Sequence, residues 1–223
     1  MVDRNRRPVR AACKMCLKFA QLFTGLTLYG FSVALMLRSG LGLNPWDVLH
    51  EGLTLHSGLS FGTVTILVSI AVLLLWIPIR QGAGIGTLCN LVVVGVAIDV
   101  FLPLLPAAGT LLDSGTKFFA GVVLNAIATA AYIGVHLGPG PRDGLMTGLV
   151  SRMGWRLWST RLSIEAVVLT LGWMLGGTVG IGTLLYAVLI GPLVQKFSSP
   201  FRWSVTAPTA AATNSDYRPE KHS

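Results

Sequence analysis

Residues 40–53 read Gly-Leu-Gly-Leu-Asn-Pro-Trp-Asp-Val-Leu-His-Glu-Gly-Leu, and they set Asn44, Asp47, His50 and Glu51 close together in a chain otherwise poor in charge. On a helix, Asp47, His50 and Glu51 share one face. Such a face could bind a cation or a proton, since His titrates near neutral pH. A metal site would need a fourth ligand, and only His56 is near in sequence, so none is expected. The local grammar also reads as a helix start. Asn44 suits the N-cap, Pro45 the first helical position, and Asp47 the third, where the positive end of the helix dipole favours an acid. Capping alone accounts for Asp47 as well as a binding role does.

The plan occurs twice. Gly140-Pro141-Arg142-Asp143 repeats it, with Gly140 in the N-cap place and Met146 and Thr147 in place of His50 and Glu51. The offset is 96 residues, and Gly84-Ile85-Gly86-Thr87-Leu88 recurs as Gly180-Ile181-Gly182-Thr183-Leu184 at the same offset. Between 25–99 and 121–195, 21 of 75 positions are identical without a gap. Composition alone would give roughly 8–10% identity, so a duplication is the better account. The Gly-x-Gly-Thr pairs are not phosphate loops, because no strand precedes them and no Lys-Ser/Thr follows. Small residues there let helices approach closely, or break the helix at related places in both halves.

The elements that must position these residues are membrane spans. The chain of 223 residues is 52% hydrophobic and only 12% charged, with mean hydropathy +0.68. That is about half the charge of a soluble domain. Apolar runs at 19–37, 61–79, 85–106, 118–137, 162–179 and 181–195 give six expected spans, the first an uncleaved helix. With the N-terminus in the cytoplasm, 15 of the 17 Lys and Arg fall on the cytoplasmic side and only Arg38 and Lys117 outside. The net charge of +8 is therefore orientation charge, and no nucleic-acid motif accompanies it.

The expected fold class is an all-α polytopic membrane protein of two three-span inverted repeats, each with a short Pro-x-Asp helix after its first span. The boundaries read as a basic cytoplasmic N-terminus (1–18), repeat 1 (19–106), an outer connector (107–117), repeat 2 (118–197) and a disordered cytoplasmic tail (198–223). Three spans is an odd number, so the second repeat inserts upside down. The short helices either dip inward from opposite faces or lie flat at the interfaces, anchored by Trp46, Trp155 and Trp158.

Inside the spans, Asp99 has no local partner and duplicates Gln195, which makes it a site candidate. Glu165 stands four residues after Arg161 and reads as an ion pair. Asn90 and Asn125 read as helix-to-helix hydrogen bonding, and Cys13-Lys-Met-Cys16 as ordinary reduced thiols.

The stretches GLGLNPWDVLHEGL, GPGPRDGL and GGTVGIGTLLYAVLIGPLVQ, taken together, resemble the YczE-type integral membrane proteins of bacteria, relatives of the YitT group. The likeness covers nearly all of 19–197. It implies a polytopic protein of the cytoplasmic membrane and assigns no substrate and no catalytic residue.

The reading that follows is a small transporter or permease for a solute or ion, bound near Asp47, Asp143 and Asp99 with Asn44, His50 and Glu51 close by. No cofactor is implied. No Ser–His, HExxH or paired His–Asp spacing supports an enzyme. The alternative is an accessory protein that docks a cytoplasmic partner through the basic loop of Arg142, Arg152, Arg156 and Arg161. The partners open to such a chain are the bilayer, a small solute or ion, a second copy, or that cytoplasmic protein; nucleic acid is excluded.

Overall fold

The structure is a computed structural model and describes residues 6–201. These residues form eight α-helices and no strand: α1 (Arg6–Ser39), α2 (Pro45–Ser57), α3 (Phe61–Ile79), α4 (Ile85–Phe101), α5 (Leu111–Gly134), α6 (Pro141–Met153), α7 (Leu157–Met174) and α8 (Ile181–Ser198). Short 3-10 turns close α4 and α8.

The helix boundaries follow from local chemistry. Asn44 accepts from the Asp47 N–H at the start of α2, and Ser60 and Thr110 do the same for α3 and α5. Such caps answer N–H groups that have no partner within the helix. At α4 and α8, whose N-caps are Gly84 and Gly180, the hydroxyls of Thr87 and Thr183 instead accept from the glycine N–H at 3.2 and 3.3 Å. α2 and α6 are both 13 residues long, start 96 residues apart, and end on left-handed Gly58 and Gly154.

Among the described residues, five helical segments are long and apolar enough to cross a membrane: Lys14–Ser39, Phe61–Ile79, Ile85–Leu104, Leu111–Gly134 and Ile181–Phe201. Their outward faces carry Ile77, Leu112 and Leu184 at 71%, 82% and 71% exposure, a surface that suits hydrocarbon and not water. α7 covers most of the fifth expected span but begins and ends five residues earlier than 162–179. Its first turns hold Ser159, Thr160, Arg161, Ser163 and Glu165, and this polar start keeps it out of the set of five. α1 begins at Arg6, so most of the segment expected as a basic N-terminus continues the first helix. Of the tail at 198–223, residues 198–201 finish α8 and its 3-10 turn; the rest lies outside the described residues.

α1 packs along α5, and α4 and α8 flank this pair. Phe118, Leu22, Leu26, Met36 and Ile98 fill the core between them. The two halves grip each other by matching bonds. The Gly86 N–H donates to the Leu137 carbonyl and the Gly182 N–H to the Leu41 carbonyl, each at 2.9 Å, with donors and acceptors both 96 residues apart. Gly42 and Gly138 make the approach possible. They sit at φ +124° and +129°, and a Cβ on either would press on the hydroxyl of Thr183 or Thr87. The Gly-x-Gly-Thr segments thus receive the loop of the opposite half.

Candidate functional site

The two short helices turn their N-termini inward. Leu43 through Val48 are buried, whereas His56 and Ser57 at the far end of α2 are exposed. At α6, Gly140 and Pro141 are buried and Ser151 to Met153 are exposed. The inward ends meet: Arg142 Nη2 lies 3.3 Å from Asp47 Oδ1, and its guanidinium stacks 5.2 Å over the Trp46 ring. Trp46 and Arg142 are duplicate positions, so one half supplies the cation and the other the flat face beneath it.

Buried charge must be answered. Asp47 is answered by Arg142, by the Asn44 amide, and by its own helix start. His50 is fully buried beside it, with Nδ1 3.4 Å from Asp47 Oδ1, 3.5 Å from Arg142 Nη2 and 3.2 Å from the Thr65 hydroxyl. Its Nε2 has no hydrogen-bond partner among the described residues. Asp143 accepts from the Tyr132 hydroxyl at 2.6 Å.

A cavity of about 410 Å³ opens at these helix starts. Its walls pair duplicate positions: Asn44 with Gly140, Trp46 with Arg142, Thr65 with Arg161, Ser69 with Glu165, and Asn90 with Tyr186. The cavity therefore lies along the relation between the halves. The charged members all come from the second half: Arg142, Asp143, Arg161 and Glu165. Arg161 and Glu165 form the expected pair at 2.8 Å. The cavity continues between α7 and α8, past Ile164, Gly191, Val194 and Gln195.

The sequence candidates scatter more than expected. Asp47, His50 and Asn44 join Arg142 at the centre. Asp143 lies on the cavity wall. Glu51 faces away and accepts from the Thr178 N–H at 2.6 Å, tying α2 to the loop after α7. Asp99 does not reach the cavity. It accepts from the Ser60 hydroxyl at 2.6 Å and the Gly62 N–H at 2.7 Å, so it holds α4 to the start of α3. Of the basic loop, Arg152, Arg156 and Arg161 are exposed as a docking surface would need, but Arg142 is drawn into the centre by Asp47 and Trp46. Trp46 is buried under Arg142 rather than placed as an interfacial anchor.

Tyr29, Tyr132 and Tyr186 were not singled out by the sequence reading, yet all three line the cavity. The signal was present: Tyr29 duplicates Asn125 and Tyr186 duplicates Asn90, polar residues at matching depths. Asn125 acts as expected, donating to the Ser32 hydroxyl and accepting from the Tyr186 hydroxyl at 2.9 Å each. Asn90 instead faces the cavity.

Known proteins place the chain in a family. Residues 16–199 match the model of a family of unknown function, DUF6198. A Haemophilus influenzae protein described as uncharacterized is 38% identical over 176 residues, 79% of this chain and 81% of its own. The uncharacterized membrane protein YczE of Bacillus subtilis is 36% identical over 189 residues, 84% of this chain and 87% of its own. YyaS of the same organism is 28% identical over 185 residues, covering 81% and 92%. No solved structure matches. A family model spanning most of the chain, together with these relatives, shows that the chain is a membrane protein of the YczE-type family DUF6198.

Proposed function

We propose that this protein is a transporter or permease for a small polar solute or ion, with its site between two inverted three-span repeats. The observation that carries the reading is the meeting of the two Pro-x-Asp helix starts, from opposite halves, at one polar cavity. Irregular backbone such as 40–44 and 136–140 is tolerated in a membrane only where protein buries it or a wet cavity borders it. In this reading α7 also crosses the membrane, which brings the spans to six. Its Arg161 and Glu165 are accommodated because they pair and face the cavity. Transporters of inverted-repeat design place broken helices and their sites in this way.

The distribution of Lys and Arg sets both termini in the cytoplasm of a bacterium, with the protein in its cytoplasmic membrane. The α7–α8 opening then faces the cytoplasm. The accessory-protein reading is weakened by geometry, since Arg142 is drawn into the cavity and leaves Arg152, Arg156 and Arg161 as the docking charges.

The test is uptake of isotope-labelled amino acids, amides and small ions into proteoliposomes, compared with empty liposomes. At least one class enters faster with the protein present, and Asp47→Asn and Asp143→Asn each slow it about tenfold or more, on the scale of losing one charged site contact. Unchanged uptake in both variants removes these carboxylates from the mechanism. No uptake of any class sinks the transport reading.

A further inference from the structure

The two short helices begin with the same backbone and different side chains. Asn44 has φ −66° and ψ 157°; Gly140 has φ −62° and ψ 159°. Asn44 uses both ends of its carboxamide. Its Oδ1 accepts from the Asp47 N–H at 3.0 Å, and its Nδ2 donates to the Asp47 carboxylate. Gly140 has neither end, and no side chain caps α6 in its place.

The space where that side chain would stand is polar. A Cβ on Gly140 would lie 3.2 Å from Tyr132 Oη, 3.3 Å from Asp143 Oδ2 and 3.6 Å from Asn90 Nδ2. Three side chains, from α4, α5 and α6, converge there, and all three border the cavity. The Asn90 carboxamide has no hydrogen-bond partner among the described residues. Among the described residues, Asp143 has the Tyr132 hydroxyl but no cation within ion-pair distance, whereas Arg142 has Asp47 and Arg161 has Glu165.

We propose that a solute completes α6 as Asn44 completes α2. The cavity takes a small molecule that presents an acceptor oxygen beside an N–H donor, the arrangement of a carboxamide. The oxygen accepts from the Asp143 N–H, the N–H group donates to the Asp143 carboxylate, and Asn90 serves either end. A simple anion would sit against the Asp143 carboxylate. A simple cation would leave the α6 N–H without an answering group, which is costly away from water. Amides and ureas carry the required pair in one plane; an α-amino acid carries it as carboxylate and ammonium. This assignment rests on reading the cavity as a solute site, and it names the class of solute.

The experiment is thermal unfolding of the purified full chain with four probes: acetamide, glycine, acetate and methylammonium. Acetamide or glycine raises Tm and the other two do not; the responding arm tells an amide site from an amino-acid site. Gly140→Asn, at backbone angles that Asn44 already adopts, binds the responding probe at least tenfold more weakly. Asn90→Ala, which only shortens a cavity side chain, also weakens binding, with Tm little changed. The proposal is overturned if no probe shifts the wild type, if acetate or methylammonium alone matches the others, or if both variants bind like the wild type. Stabilisation by acetamide or glycine without uptake into proteoliposomes strikes transport and leaves the ligand class standing. Uptake unaffected by Gly140→Asn strikes the ligand class and leaves transport standing.

Discussion

Gly62 of α3 and Gly95 of α4 touch through their backbones. A Cβ on Gly62 would collide with the Gly95 carbonyl, and one on Gly95 would stand 2.6 Å from the Gly62 carbonyl. Asp99 then bonds the start of α3 from α4, and the seam is shut. The duplicate positions on α7 and α8 are Trp158, Gly191 and Gln195. Trp158 is 61% exposed, a Cβ on Gly191 would meet nothing within 4 Å, and α7 has no packing against α8 like that of α3 against α4. Residues of both α7 and α8 line the cavity along this second seam. The halves share a backbone plan but differ in how each seam closes. A glycine contact can shut α3 on α4; an indole stands where α7 would need the same contact.

Substitution at paired positions can break this comparison. Gly95→Leu forces side-chain atoms into Ile66 and the Gly62 backbone and costs about 2–3 kcal/mol. Its duplicate, Gly191→Leu, costs less than about 0.5 kcal/mol, because the site is open. Thermal unfolding of both in one detergent reads the difference, and equal losses would mean that the second seam is packed as well. A smaller contrast comes from the latch. Asp99→Ala removes a charged acceptor from the Ser60 hydroxyl and the Gly62 N–H and costs about 1–2 kcal/mol. Gln195→Ala, exposed on α8, changes unfolding within about 0.5 kcal/mol. The smallest effect is at Glu165→Gln. Its partner Arg161 is 50% exposed, so breaking the pair changes stability by about 0.5 kcal/mol or less. A larger loss would place that pair inside a closed seam.

The legible part of this molecule is local. Asn44-Pro45 and Gly140-Pro141 announced two helix starts, and the helices begin at Pro45 and Pro141. The Gly-x-Gly-Thr segments were readable as places of close approach, because only small residues admit a backbone there. What approaches them was not readable, since Leu41 and Leu137 come from the opposite half. Arg142 looked like orientation charge because its partner, Asp47, lies 95 residues away. Asp99 looked like a site for the converse reason: its partners Ser60 and Gly62 are on a neighbouring helix, where sequence spacing gives no warning. The early start of α7 was hidden by its Ser, Thr and Arg: the hydroxyls of Ser159 and Thr160 donate to the Arg156 carbonyl, and Arg161 lines the cavity and pairs with Glu165.

The central claim is that one polar cavity between the halves is open through the α7–α8 seam and shut at α3–α4. Ser69 of α3 borders that cavity. With Cys13, Cys16 and Cys89 replaced, a Ser69→Cys variant in sealed vesicles of either orientation reports the open side through a membrane-impermeant thiol reagent. The account predicts labelling from the cytoplasmic side and protection from the outer side. Labelling from the outer side, or from neither, would contradict it.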